Sequence, residues 1–365
     1  MPIDILLTGC FGNIGMNTVR RVYELNAQLQ NPENSLKIRL TCFDMQSPLT
    51  VKNRELLIAE FHGNENVFQT VWGDLRNQDQ VREVVRNKDI IIHLAAMIPP
   101  AAYRHRELAR EVNVQGTMNL LEASKAQAKK PRFVFASSYS VTGSRNPWKS
   151  LPLIDSSTDV KPGDLYGKHK VECETMIRQY DGEWVILRLG AVSITFSGML
   201  STGNDSELLL YSIPANQRRH GVHSKDAARA FVEAAITKKP ISGKTLMIGG
   251  DSTWCITAFE FGNKIFRTLG IGELSINAFR TPDPDNDELF YFEDWMNTSE
   301  SQELLDFQKR TIQNWEEELA KEVSAVRYHT TSFFSPLIRY WLNHSSPYYK
   351  KQDPRTNKSM SDIIG

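Results

Sequence analysis

Residues 8–15 read Thr-Gly-Cys-Phe-Gly-Asn-Ile-Gly, between a strand-like run at 3–8 and a helical pattern that starts at 13. Each glycine in that order has a physical task. Gly9 permits a tight turn from strand to helix, Gly12 lets the backbone come close to a pyrophosphate, and Gly15 lets helix and strand pack closely. Free N–H groups and the dipole at the helix start then attract phosphate. In this setting the motif predicts a parallel sheet with a dinucleotide-binding turn.

The rest of the first half keeps that rhythm. Strand-like runs fall at 3–8, 37–43, 67–72, 89–94, 132–137 and 183–189, with helical patterns at 13–28, 78–86, 103–126 and 165–180. Strands alternating with helices predict a sheet covered on both faces, and right-handed crossovers make it doubly wound. The expected fold class is therefore α/β, Rossmann-type. Residues 1–189 form the nucleotide-binding domain. Residues 190–330 form a small substrate lobe with interleaved elements that complete the sheet, including a Gly/Ser-rich segment at 197–206, a helix at 224–236 and a strand at 244–248. Residues 331–365 form an aromatic C-terminal tail. The acidic stretch 281–288 reads as a loop.

Lysine plus arginine equals aspartate plus glutamate at 43 each, so no global charge draws nucleic acid. Cys10, Cys42, Cys173 and Cys255 lack metal-ligand or disulfide spacing, and no metal is expected. No apolar run reaches the ~20 residues that span a bilayer, and the first residues lack a signal-peptide pattern. A soluble, cytoplasmic protein is expected, with a small-molecule substrate as partner and a possible homodimer.

Asp44 ends the second strand, where a carboxylate accepts both hydroxyls of an adenine ribose and repels a 2′-phosphate. It lies farther along than the usual ~20 residues, and the polar stretch 26–35 accounts for the excess as a loop. No basic residue follows until Lys52, so NAD is expected over NADP. Asp74 after the third strand is placed to reach the adenine edge. Leu94, Ala95 and Ala96 offer small side chains where the cofactor passes, and His93 beside them reads as a core histidine.

Tyr166 and Lys170 are spaced four apart, about one helical turn on the same face. A free phenol titrates near 10, so it needs a neighbouring cation to trade protons near neutrality. The Ser137–Ser138 pair ends the fifth strand, where successive side chains point to opposite faces.

Taken with Gly73-Asp-Leu75, His93-Leu-Ala-Ala96 and Asn113-Val-Gln-Gly-Thr117, these motifs resemble the extended short-chain dehydrogenases/reductases, the NAD-dependent epimerase/dehydratase family. The likeness covers about residues 3–250. It implies that Tyr166 is the general acid/base, that Lys170 holds the nicotinamide ribose and favours phenolate, and that Ser138 binds the reacting oxygen. Phe11, Asn13, Ile14 and Leu75 join the glycines, Asp44, Asp74, residues 94–96, Tyr166 and Lys170 as implied cofactor contacts. Asn113 is left to scaffolding.

Within that family, dehydratases carry an Asp-Glu pair after the catalytic Ser or Thr, and here Tyr139 and Ser140 stand instead. Nucleotide-sugar epimerases often show R-x-x-N after the sixth strand, and here Arg188 is followed by Ala191. The expected function is NAD-dependent hydride transfer on a secondary alcohol or ketone of a sugar or sugar-like substrate. Arg188, Arg218 and His223 are candidate substrate contacts, with packing the competing role for His223. The alternatives are an epimerase that retains NAD tightly and a non-catalytic NAD(H)-binding sensor or scaffold. The aromatic segment 332–342 reads either as a helix packed on the body or a dimer interface, or as an interfacial membrane anchor.

Overall fold

The computed structural model describes residues 2–28, 37–195 and 211–349; the segment 197–206 and most of the loop 26–35 lie outside them. The strands are β1 (Ile3–Thr8), β2 (Ile38–Asp44), β3 (Gln69–Trp72), β4 (Ile90–His93), β5 (Arg132–Ser138), β6 (Trp184–Leu189), β7 (Ala191–Val192), β8 (Arg218–Val222), β9 (Lys244–Ile248) and β10 (Cys255–Thr257). Seven of them form a parallel sheet in the order β3-β2-β1-β4-β5-β6-β9. The other three form a small sheet, β10-β8-β7.

The two-residue period of the strands explains how the large sheet is clad. Ile5, Leu7, Ile90, Ile92, Val134 and Ala136 face one core. Their neighbours Leu6, Ile91, Phe133 and Phe135 face another. Helices α1 (Asn13–Gln28), α2 (Pro48–Glu60), α3 (Gln78–Val85), α4 (Ala101–Arg104), α5 (Arg106–Arg110), α6 (Gly116–Lys125), α7 (Leu165–Arg178) and α8 (Ser224–Ile236) surround it. Val19 and Val22 of α1 and Phe231 of α8 fill the first core, while Leu120 of α6 and Ile177 of α7 fill the second. The interleaved elements expected at 224–236 and 244–248 are α8, against α1, and β9, the edge strand beside β6.

Two local expectations change. The single helix expected at 103–126 is broken into α4, α5, a wide π turn at Glu111–Gln115 and α6. His105 leaves helical geometry, and Asn113 within the π turn bonds the Met97 main chain in both directions, at 2.7 and 2.9 Å. Helix α2 was not expected. Its signal was present: Ser47 caps it in a reciprocal box with Thr50, and Pro48 occupies the first turn.

Further helices among the described residues are α9 (Ala258–Thr268), α10 (Ser299–Leu305), α11 (Ile312–Glu322), α12 (Ala325–Phe333) and α13 (Ser335–Ser345). Trp315 of α11 stacks on Phe261 at 5.2 Å and packs beside Trp254. Among the described residues, no helix is long and apolar enough to cross a membrane.

Candidate active site

Strand order reverses at β1, which has β2 on one side and β4 on the other. The crevice outside the carboxyl ends at such a switch point is where open α/β sheets take ligands. The glycine turn occupies the end of β1. Gly9 has φ of +68°, and a Cβ there would lie 2.7 Å from the Ala95 nitrogen. A Cβ on Gly15 would fall 2.1 Å from the Gly9 carbonyl, so α1 packs flush on the turn. Gly12 is exposed, with only the Gly9 carbonyl 3.4 Å from where its Cβ would be.

Asp44 is tied to this turn: Oδ2 accepts from the Phe11 N–H at 2.9 Å, and Oδ1 from the Met45 N–H at 2.9 Å. Burial raises its carboxyl above the usual range, against the pull of those two N–H groups. Asn53 of α2 donates to the Phe11 carbonyl at 2.8 Å, a support for the turn that the sequence reading missed. The Phe11 side chain is buried against Phe68 and Trp72, so its part in the crevice is its main chain. Ile14 is half-buried, and Asn13 donates to the Ser193 carbonyl at 2.8 Å, linking the turn to the segment after β7. Cys10 is buried and its thiol is pushed well up, chiefly by burial, which makes it a poor nucleophile.

At the end of β4, Leu94, Ala95 and Ala96 are half-buried beside the turn, and the Ala95 N–H reaches Thr8 Oγ1 at 3.3 Å. His93 is a core residue, as expected. Its nitrogens lie 2.7 Å from Thr8 Oγ1 and 3.0 Å from Thr117 Oγ1, and burial pushes it down to about 3, so it stays neutral.

Helix α7 starts at Asp164, whose Oδ1 accepts from the Gly167 N–H and whose Oδ2 accepts from the Tyr103 hydroxyl at 2.6 Å. Tyr103, 61 positions away in sequence, was not singled out. Tyr166 and Lys170 share a face of this helix, with Lys170 Nζ 5.5 Å from the phenol ring centroid. Lys170 is buried, and Nζ donates to the Ala136 carbonyl of β5 at 2.6 Å. Burial pushes its ammonium down to about 8, while Cys173 and Glu174 act the other way. Burial raises the Tyr166 phenol, and the charge of Asp164 adds to this.

The two serines separate by strand alternation. Ser137 Oγ donates to Glu174 at 2.6 Å on the α7 side. Ser138 has its Oγ accepting from the Ser140 N–H at 3.2 Å and caps the turn Tyr139–Thr142.

Two expected substrate contacts are corrected. Arg188 is the register partner of Ser137, so it shares that face. It is 1% exposed, and its Nε and Nη2 donate to Glu174 at 3.0 and 2.8 Å. His223 is buried, caps α8 through Nδ1, and turns Nε2 to Glu318 at 3.4 Å. Arg218 stays half-buried, over Trp295 at 4.8 Å and 3.8 Å from Asp294, so its charge is already opposed. On the cofactor side, the Asp74 carboxylate is engaged by Arg76 at 2.7 Å. Leu75 is buried in the second core, with its carbonyl accepting from Asn119 at 2.8 Å.

A doubly wound parallel sheet with a glycine turn at its switch point defines a Rossmann-type, dinucleotide-binding fold. The chain belongs to the NAD dependent epimerase/dehydratase family, whose model matches residues 5–249. It is an enzyme of that extended short-chain dehydrogenase/reductase type, and its cofactor is NAD. The glycine cradle and the turn-bound Asp44 fit such a group.

D-erythronate dehydrogenase of Cupriavidus necator is 26% identical over 200 residues, 53% of this chain and 56% of that protein. The Haemophilus influenzae D-erythronate dehydrogenase is 31% identical over 115 residues, 30% of this chain and 35% of that protein. The chain thus spans about half or less of the length of these curated relatives. Among solved structures, UDP-glucuronic acid 4-epimerase from Bacillus cereus, in complex with UDP-glucuronic acid and NAD, superposes with a TM-score of 0.68 at 20% identity. That match covers 88% of this chain and 100% of the other. A short-chain dehydrogenase/reductase superfamily protein from Agrobacterium tumefaciens with bound NAD gives 0.64 at 22% identity, over 92% of this chain and 100% of the other. At these identities the superpositions show a shared fold.

Proposed function

We propose that this enzyme oxidises or reduces one secondary alcohol/ketone centre of a small polyhydroxylated substrate, such as a free sugar or sugar acid. The observation that carries the reading is the common mounting of three side chains. Tyr166 and Lys170 lie on one helix face, and Lys170 is bonded to Ala136, two residues before Ser138 on the same strand.

NAD supplies the hydride acceptor when bound. Gly12, the Phe11 main chain and the start of α1 would hold its pyrophosphate, and Asp44 its adenine ribose. Tyr166 Oη takes the hydroxyl proton of an alcohol as its carbon loses hydride, and returns it in the reverse direction. Lys170 keeps a positive charge at neutral pH and favours the phenolate. Ser138 Oγ holds the reacting oxygen in line with Tyr166.

The substrate class rests on the neighbourhood of Ser138. Tyr139 and Ser140, which follow it, are buried and carry no carboxyl for removing water. Ala191 offers no amide to a sugar diphosphate. The similarity to D-erythronate dehydrogenases favours a small acid without a nucleotide handle. A second reading, an epimerase that re-reduces its own intermediate, draws on the fold shared with UDP-glucuronic acid 4-epimerase.

The test offers matched pairs, each free sugar or sugar acid beside its nucleotide-linked form, and follows both NADH absorbance and the sugar products by chromatography. Net NADH from the free members supports the proposal. Reaction of the nucleotide-linked members alone, without net NADH, moves the epimerase reading to first place.

A further inference from the structure

The last two helices turn aromatic and aliphatic side chains outward. Val326 is 77% exposed, Phe333 79%, Leu337 68%, Tyr340 64% and Trp341 59%. Leu337, Tyr340 and Trp341 are spaced three and four apart, so they share one face of α13. Helix α12 buries none of its nine residues, and α13 buries Leu342, which packs with Tyr211 and Phe279. A helix this short is marginal alone in water, where roughly 12–15 residues are needed. An apolar face so placed calls for a covering surface.

Charge identifies the surface. Residues 323–352 contain no aspartate or glutamate and carry Arg327, Arg339, Lys350 and Lys351, whereas the rest of the chain has 39 lysines and arginines against 43 aspartates and glutamates. Two of the four carboxylates of the preceding helix are engaged with the body: Glu316 pairs with Lys264 at 2.9 Å and Glu318 with Lys225 at 2.8 Å. A second copy docked on the same face about a two-fold axis would bring like charges together. An anionic headgroup layer instead attracts the cations, and its boundary with the acyl chains accommodates tryptophan, tyrosine and phenylalanine.

We propose that α12 and α13 seat the protein peripherally on an anionic lipid surface, with Phe333, Leu337, Tyr340 and Trp341 entering the headgroup boundary. These helices lie beyond the family-matched residues 5–249, so the inference stands apart from the reading of the crevice.

The full chain is sedimented with vesicles of phosphatidylcholine, and with vesicles of phosphatidylcholine and phosphatidylglycerol in equal parts, at low and high salt. The anionic vesicles should bind it about tenfold or more tightly than the neutral ones, with the difference lost at high salt. Hydrogen exchange of the unaltered chain should slow at 325–345 only with anionic vesicles. The double variant Phe333→Ser/Trp341→Ser should lose vesicle binding and keep NAD binding, which also reports that it has folded. Equal sedimentation with both vesicle types, sedimentation with neither, or unchanged exchange at 325–345 would overturn the proposal. Concentration-dependent self-association that the double variant abolishes, without vesicle binding, would assign the face to a second copy.

Discussion

Lys170 Nζ donates to the Ala136 carbonyl at 2.6 Å, which bonds the helix bearing Tyr166 to the strand that ends in Ser138. The lysine thereby sets the spacing of the catalytic candidates as well as supplying charge. Its replacement is therefore expected to affect both stability and turnover.

The first prediction uses that charge. Lys170 titrates near 8 in the folded chain against about 10.5 when unfolded. Below pH 8 both states are protonated and the cost of burying the ammonium is carried in full. Between about 8 and 10.5 the unfolded chain holds more protons, so folding stability rises with pH. Urea melts of the cofactor-free protein should show wild type gaining on Lys170→Met across that window. A constant difference would contradict the assignment.

Tyr166→Phe keeps the ring and removes the proton. Turnover should fall about 10²- to 10⁴-fold, the usual contribution of a positioned acid/base group, while NAD affinity stays nearly unchanged. Turnover within a few-fold of wild type would refute the role of Tyr166.

The adjacent serines should separate cleanly. Ser138→Ala should lower turnover with little effect on melting. Ser137→Ala removes a hydrogen bond to the buried Glu174 and should cost about 1–3 kcal/mol of stability, with NAD binding kept. Glu174 makes this informative: burial pushes its carboxyl up, but Arg188 and Ser137 outweigh burial and hold it below the usual range. Paired denaturation and kinetic measurements decide the matter, and a reversed pattern would exchange the two roles.

Asp44 should set cofactor choice. Titration of NAD and NADP should favour NAD by about tenfold or more, which requires only ~1.4 kcal/mol of like-charge repulsion at the 2′-phosphate. Asp44→Ala should weaken NAD and narrow the gap. Equal affinities in wild type would mean that the carboxylate serves the Phe11 turn alone.

Local periodicity made much of the frame legible before any coordinates. The bounds of β1, α1, α8 and β9 match the sequence reading, because a two- or 3.6-residue repeat with glycine punctuation is written locally. The Tyr166–Lys170 pairing followed from helix spacing alone, and the split between Ser137 and Ser138 from strand alternation. The partner of a charge is not local. Arg188 and His223 had the right chemistry for ligand contacts, yet packing turned them to Glu174 and Glu318. Tyr103 met Asp164 only because α4 and the start of α7 come together across 61 positions. Sequence alone determined which elements form and which chemistry the chain carries. Tertiary structure decided which polar groups remain free, because burial forces each charge to take whatever partner the fold brings within reach.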